Sequence, residues 1–195
     1  ISNRTTLEAA HSLLSQYPTV ASLNFASAKN PGGGFLSGSQ AQEESLARAS
    51  GLYTSLQTQI DFYTFHRQQA SSLYSDRLIY SPHVPVFRND EGDLLAKPWK
   101  SSFITAAAVN AGAVRKNEPA QVKEIISIMQ RRTRMVLAIA ALQGNEALVL
   151  GAWGCGVFQN DPTAIARIFA TVLSEPLFAN RFAHVEFAVY DSSPN

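Results

Sequence analysis

Apolar residues follow two rhythms along the chain, a helical one and a set of short runs. Leu7, Ala10, Leu13 and Leu14 share one face of a 3.6-residue repeat, which predicts a helix over residues 6–16. Tyr17-Pro18 ends it, because a residue before proline avoids the helical region. Residues 20–26 read as a strand. Leu46, Ala49, Leu52, Tyr53 and Leu56 return to helical spacing and predict one helix over 40–56. Residues 57–75 fit a helix or an irregular segment. A strand over 76–80 runs into a loop at Ser81-Pro82, and 85–89 with 94–96 flank a turn at 89–93 as a small hairpin. A further strand is expected over 103–109. A long helix follows over 118–142, with Pro119 at its start and Gly144 as its stop. Residues 147–150 form a short buried strand and 151–160 a glycine-rich loop. Asp161-Pro162 then opens a helix to about Ser174, Asp as cap and Pro at the first helical position. Residues 185–190 are the last strand. Strands alternating with helices predict an α/β sandwich, a mostly parallel sheet with helices on both faces and room for an antiparallel edge near Leu94.

Composition narrows this picture. The 195 residues fit one domain, 1–195, and 46% are hydrophobic, so a packed core is expected. The strongest apolar stretch, 135–142, is far shorter than the ~20 residues that span a bilayer, so no membrane partner is expected. The chain opens on Ile1, so a trimmed or processed start is expected. A formal net charge of +1 supplies no global field for nucleic acid, and no direct DNA binding is expected. The single cysteine, Cys155, excludes an internal disulfide. The four histidines have no metal-ligand spacing, so neither metal nor organic cofactor is implied.

Two glycine-rich loops carry the chemistry. Residues 24–44 read NFASAKNPGGGFLSGSQAQEE, and residues 151–158 read GAWGCGVF; each leaves a strand and enters a helix. Glycine permits positive φ and close ligand approach, and successive backbone N–H groups make an anion cradle. Either loop alone is more often a tight turn. Two of one design, at the ends of neighbouring strands, form a crevice suited to a diphosphate. Neither matches the Walker or dinucleotide pattern.

The triple glycine followed by Gln42-Glu43-Glu44 resembles the signature of poly(ADP-ribose) glycohydrolases of the bacterial and fungal type, and WGCGVF over 153–158 resembles their second phosphate loop. The similarity runs from about Asn3 to Asp191. It implies a macrodomain-like three-layer α/β/α sandwich with a mixed, mostly parallel sheet. It also implies a site for ADP-ribose and poly(ADP-ribose), including ADP-ribosylated proteins. By resemblance Glu44 is the catalytic acid and Glu43 holds ribose hydroxyls. Gly32, Gly33 and Gly34 line the diphosphate and distal ribose, Gln42 is counted among the substrate-binding residues, and Asn30 either orients the turn or touches ribose. Gly154, Cys155, Gly156, Val157 and Phe158 wrap the diphosphate, and Phe187 either stacks on adenine or packs in the core. Macrodomains often read the adenine amino group with an early acidic residue; Asn3-Arg4-Thr5-Thr6 holds none. A monomer in the cytoplasm or nucleus is expected.

Adjacent helical residues point about 100° apart at ~3.6 residues per turn, so Glu43 and Glu44 cannot flank one glycosidic oxygen and must have different tasks. Glu44 is expected to protonate the leaving ribose oxygen and then activate water, while the substrate's own diphosphate stabilises the oxocarbenium-like centre. It is expected to become a competent acid mainly once substrate is bound. Three functions stay open: hydrolysis of poly(ADP-ribose), binding of ADP-ribose without cleavage, and hydrolysis of protein-linked mono-ADP-ribose. Arg131, Arg132 and Arg134 are expected on a solvated helix face, His66 and His83 as structural histidines, and Cys155 as a small buried residue.

Overall fold

The structure, a computed structural model, is described over residues 1–191. Its strands are β1 (Val20–Phe25), β2 (Ile79–Arg88), β3 (Leu94–Ala106), β4 (Ala147–Leu150) and β5 (His184–Phe187), in the order β2-β3-β1-β4-β5. β1 is parallel to β3 and β4, β4 is parallel to β5, and only β2 runs antiparallel, at the edge. The sheet is thus mixed and mostly parallel. Alternate side chains serve opposite faces. Ala21, Leu23, Leu148 and Leu150 pack with Met129, Val136 and Leu137 of α6 (Ile125–Leu142) and with Ile165 and Phe169 of α7 (Pro162–Leu173). Val20, Ala147 and Val149 pack against Ala9, Ala10 and Leu13 of α1 (Thr6–Leu13). Phe103 and Val86, on that same side, meet Leu46 of α2 (Gln42–Ala49), Leu52 of α3 (Leu52–Gln57) and Phe62 of α4 (Ile60–Gln68). Helices therefore cover both faces.

Several elements depart from the periodicity. The expected helix over 40–56 breaks at Ser50-Gly51, because Gly51 donates its N–H to the Pro85 carbonyl and Ser50 bridges to Val86. Sheet pairing outweighs a few residues of helical propensity. β2 continues through Pro82, where a loop was expected, into Pro85, where the next strand was expected to begin. An edge strand tolerates proline, and a register shift between Ser81 and Val84 absorbs the misfit. Residues 94–96 and 103–109 are not separate strands; the first belongs to β3, which stops at Ala106 and pairs along its outer half only with β2. The helix over 118–142 begins at Ile125, after a 3₁₀ segment, Pro119–Glu124, and a short helix α5 (Ala111–Asn117) precedes it. α7 starts as expected, with the Asp161 side chain accepting the Thr163 N–H. No helix of the described residues is long and apolar enough to cross a membrane.

Candidate active site

Both glycine loops leave the carboxyl edge of neighbouring parallel strands, the first from β1 and the second from β4. Their roots touch: a Cβ on Gly151 would lie 2.9 Å from the Phe25 ring and 2.6 Å from the Ala188 carbonyl. β3 ties both loops to one point, its Ala106 carbonyl accepting from Ala26 N–H at 3.3 Å and from the Trp153 indole at 3.1 Å.

The first loop turns on Gly32 and Gly33 at φ +68° and +61°, a region that glycine enters without cost. Gly33 N–H closes this turn on the Asn30 carbonyl, while the Asn30 side chain is exposed. The turn lies against the first turn of α2. A Cβ on Gly33 would stand 2.2 Å from Glu44 Oε1 and 3.1 Å from Glu43 Oε2, so only glycine fits. Gly34 N–H donates to Glu44 Oε1 at 2.8 Å; Glu44 Oε2 has no protein partner among the described residues.

Glu43 is 3% exposed and has both oxygens engaged, Oε2 by Ser27 N–H at 2.6 Å and Oε1 by Asn24 Nδ2 at 3.3 Å. Burial, reinforced by the nearby charge of Glu44, outweighs these donors and pushes its acid up to about 8. At neutral pH Glu43 therefore holds its proton. Beneath it lie two buried polar atoms without a protein partner, Asn24 Oδ1 and the Tyr63 hydroxyl. Gln42 spends its amide on backbone, accepting from Phe25 N–H and donating to the Leu23 carbonyl. It pins α2 to β1, which sets the height of both glutamates.

The second loop is held by Asn160, whose Nδ2 donates to the carbonyls of Val109 and Gly154 at 2.8 and 3.0 Å. Gly154 has φ +73°, and a Cβ there would meet Ala108 at 2.5 Å. Gly156 and Val157 form the exposed crest and Phe158 is half-buried, its ring 6.0 Å from Tyr74. Cys155 is half-buried rather than buried, and burial raises its thiol. Phe187 lies in the α7 layer, edge-on to Phe169 at 5.3 Å.

Sequence reading missed several residues. Ser27 acts through its backbone, and nothing in its side chain signals that. Asn160 carries a faint signal, a polar residue directly before an Asp-Pro cap. Arg132, expected on a solvated face, is 1% exposed and bonds Asp76 and the carbonyls of Ala107 and Leu73, while Arg131 and Arg134 stay exposed. His66 is buried between the Phe62 carbonyl and Ser75. On the far face of α2 from the glutamates opens a cleft of about 440 Å³ lined by Thr5, Phe25, Gln42, Asp90, Ala152 and Tyr190 among others. Thr5 Oγ1 donates to Asp90 Oδ2 at 2.6 Å, and burial raises the Asp90 acid.

A family model described as the catalytic domain of microbial-type PARG matches residues 1–89. No curated protein matches. Among solved structures, the poly(ADP-ribose) glycohydrolase of Deinococcus radiodurans in complex with ADP-ribose is 51% identical, with a TM-score of 0.94 over 99% of this chain and 77% of that one. The enzyme of Thermomonospora curvata is 53% identical at a TM-score of 0.94, over 99% of this chain and 70% of that one. Its complex with the inhibitor ADP-HPD matches at the same 53% and 0.94, over 99% and 73%. Half of all positions agree along almost the entire chain, and with that the protein belongs to the microbial type of the poly(ADP-ribose) glycohydrolase family.

Proposed function

We propose that this chain hydrolyses poly(ADP-ribose) at the ribose–ribose O-glycosidic bond and releases ADP-ribose. The observation that carries this reading is the lodging of Glu44 against the triple glycine, one oxygen held by Gly34 N–H and the other uncommitted. The glycine loops give the diphosphate two backbone cradles, and Phe158 packs against the distal ribose, whose anomeric carbon faces Glu44. Glu44 delivers a proton to the leaving ribose oxygen, and the bound diphosphate stabilises the positive charge that develops on the sugar. The ionised Glu44 then takes a proton from water as it attacks. Glu43, neutral at neutral pH, orients the ribose hydroxyls without adding a second negative charge. Prepaid positioning of this kind supplies several kcal/mol of barrier lowering. The adenosine end fits the cleft on the other face of α2, where Asp90 and Glu91 bring the carboxylates that residues 3–6 lack. Phe187 belongs to the core in this arrangement.

The test compares a defined polymer, an automodified protein and a mono-modified protein as substrates, reading free ADP-ribose. Glu44→Gln is expected to lose about 10²–10⁴-fold in kcat, as loss of a positioned proton donor does, while retaining ADP-ribose affinity. Wild-type protein that binds ADP-ribose but releases none from polymer is a reader and not a hydrolase. Release from the mono-modified protein alone moves the substrate class.

A further inference from the structure

β1 and β3 bring two polar side chains into register beside the inner glutamate. Asn24 stands opposite Thr105 in the parallel ladder, and both are fully buried. The Asn24 amide uses its two N–H bonds there, one on Thr105 Oγ1 at 3.1 Å and one on Glu43 Oε1 at 3.3 Å. Its Oδ1 has no partner among the described residues. Glu43 Oε2 accepts from Ser27 N–H at 2.6 Å, and a backbone N–H can only donate, so a proton on Glu43 belongs to Oε1. An Oε1 hydroxyl that accepts from Asn24 must aim its own hydrogen away from Asn24. No protein group among the described residues accepts that hydrogen. Turned over, the same amide would set Oδ1 against the hydroxyls of Thr105 and Glu43, and both would donate inward.

Resting on the reading above, we infer that Asn24, anchored by Thr105, is a positioning residue: it keeps its donor side against Glu43, so that the Glu43 hydroxyl points outward to a hydroxyl of the bound ribose. Asn24 is itself buried and acts through Glu43. The directed bond fixes the sugar before Glu44 delivers its proton. The titratable groups that face Glu43 are Glu44 on its own helix and the Tyr63 phenol of α4, while Asn24 and the Ser27 and Gly32 backbone are neutral. Burial and the Glu44 charge favour the protonated acid; the Asn24 amide and the backbone donors favour the ionised one. Removing the Asn24 donor therefore tightens the hold of Glu43 on its proton and at the same time leaves that proton without a direction.

The test is ADP-ribose affinity, measured by calorimetry across pH. Wild-type affinity is expected to fall above about pH 8, where Glu43 releases its proton. Asn24→Ala is expected to bind about tenfold more weakly at neutral pH, the scale of one misdirected hydrogen bond, and to keep that weaker affinity to higher pH. A residue that only fills space would lower affinity and leave the alkaline limb in place. Asn24→Asp preserves the volume but sets an acceptor against Glu43, which turns the Glu43 hydrogen inward; its loss should reach about a hundredfold. Thr105→Val keeps the amide and removes its anchor. It should move affinity and limb in the same directions as Asn24→Ala by a smaller amount, and it carries the test if Asn24→Asp does not fold. Wild-type affinity in Asn24→Asp, a wild-type profile level through about pH 8, or a limb unmoved in both Asn24→Ala and Thr105→Val overturns the inference. Wild-type protein that binds ADP-ribose in this manner but releases none from polymer speaks against the parent reading instead, since the binding comparison needs no turnover.

Discussion

Glu43 is an acid that folding removes from water, and its proton couples stability to pH. Its ordinary value is 4.5 and its folded value about 8. Between these the folded chain binds a proton that the unfolded chain has released. Unfolding then sheds a proton, so raising pH favours the unfolded state. The contribution is present in full below about 4.5 and is lost progressively as pH rises towards 8. Glu43→Gln keeps the shape but has no proton to lose, and the unpartnered Asn24 Oδ1 can turn to accept from the new amide. Wild-type Tm is therefore expected to fall relative to Glu43→Gln between about pH 5 and about pH 8. Parallel melting curves across that window would refute the assignment. The contact of Gly33 with Glu44 was legible through the resemblance of the triple glycine and Gln42-Glu43-Glu44 to the family's signature, since an acidic pair in a first helical turn is by itself most often solvated. The burial of Glu43 and Arg132 was not, since both depend on which distant backbone groups face them.

Elements were legible where local chemistry decides and illegible where partners do. α7 begins at the cap its Asp-Pro pair prescribes, and β4 has the bounds its apolar run suggests. The break between α2 and α3 was invisible because the Pro85 carbonyl that causes it lies in β2. β3 was divided in reading because Pro98 and polar residues interrupt a strand that hairpin pairing completes. The second glycine loop depends in the same way on a distant partner. Asn160 clips it to Val109, just past the end of β3, whose Ala106 carbonyl also anchors Trp153. Asn160→Ala removes a side-chain donor shared by two carbonyls, each of which keeps one backbone N–H, and is expected to cost about 1 kcal/mol. Asn160→Asp sets an acceptor against two acceptors and should cost more. Chemical denaturation gives the stability loss, and calorimetry should report weaker ADP-ribose binding in the same order. Full affinity in a destabilised Asn160→Asp protein would mean that the loop's shape is irrelevant to the ligand.

At the scale of the whole molecule, strand order brings the site together. β1 lies between β3 and β4, so loops separated by more than a hundred residues leave the same edge of the sheet. Alternation of elements foretold the layers, but only the parallel β1–β4 pairing puts both cradles in one crevice. A ligand spanning both loops then bonds to the two halves of the chain at once and cannot be retained by either half after unfolding. Its binding energy must appear as stability of the entire domain. At a concentration of 100 times Kd such a ligand stabilises by about 2.7 kcal/mol, which for a domain of this size raises Tm by roughly 5–10 °C. ADP-ribose is expected to produce that shift in wild-type protein. AMP and ribose 5-phosphate, each reaching one end, should produce far less at the same concentration. Gly154→Ala separates the two cradles: its Cβ would press on Ala108 and on the Asn160 amide, at a φ that alanine resists. It should abolish most of the ADP-ribose shift beyond its own loss of Tm. A full shift with AMP alone would place the binding energy at the adenosine end and leave the glycine loops without their role.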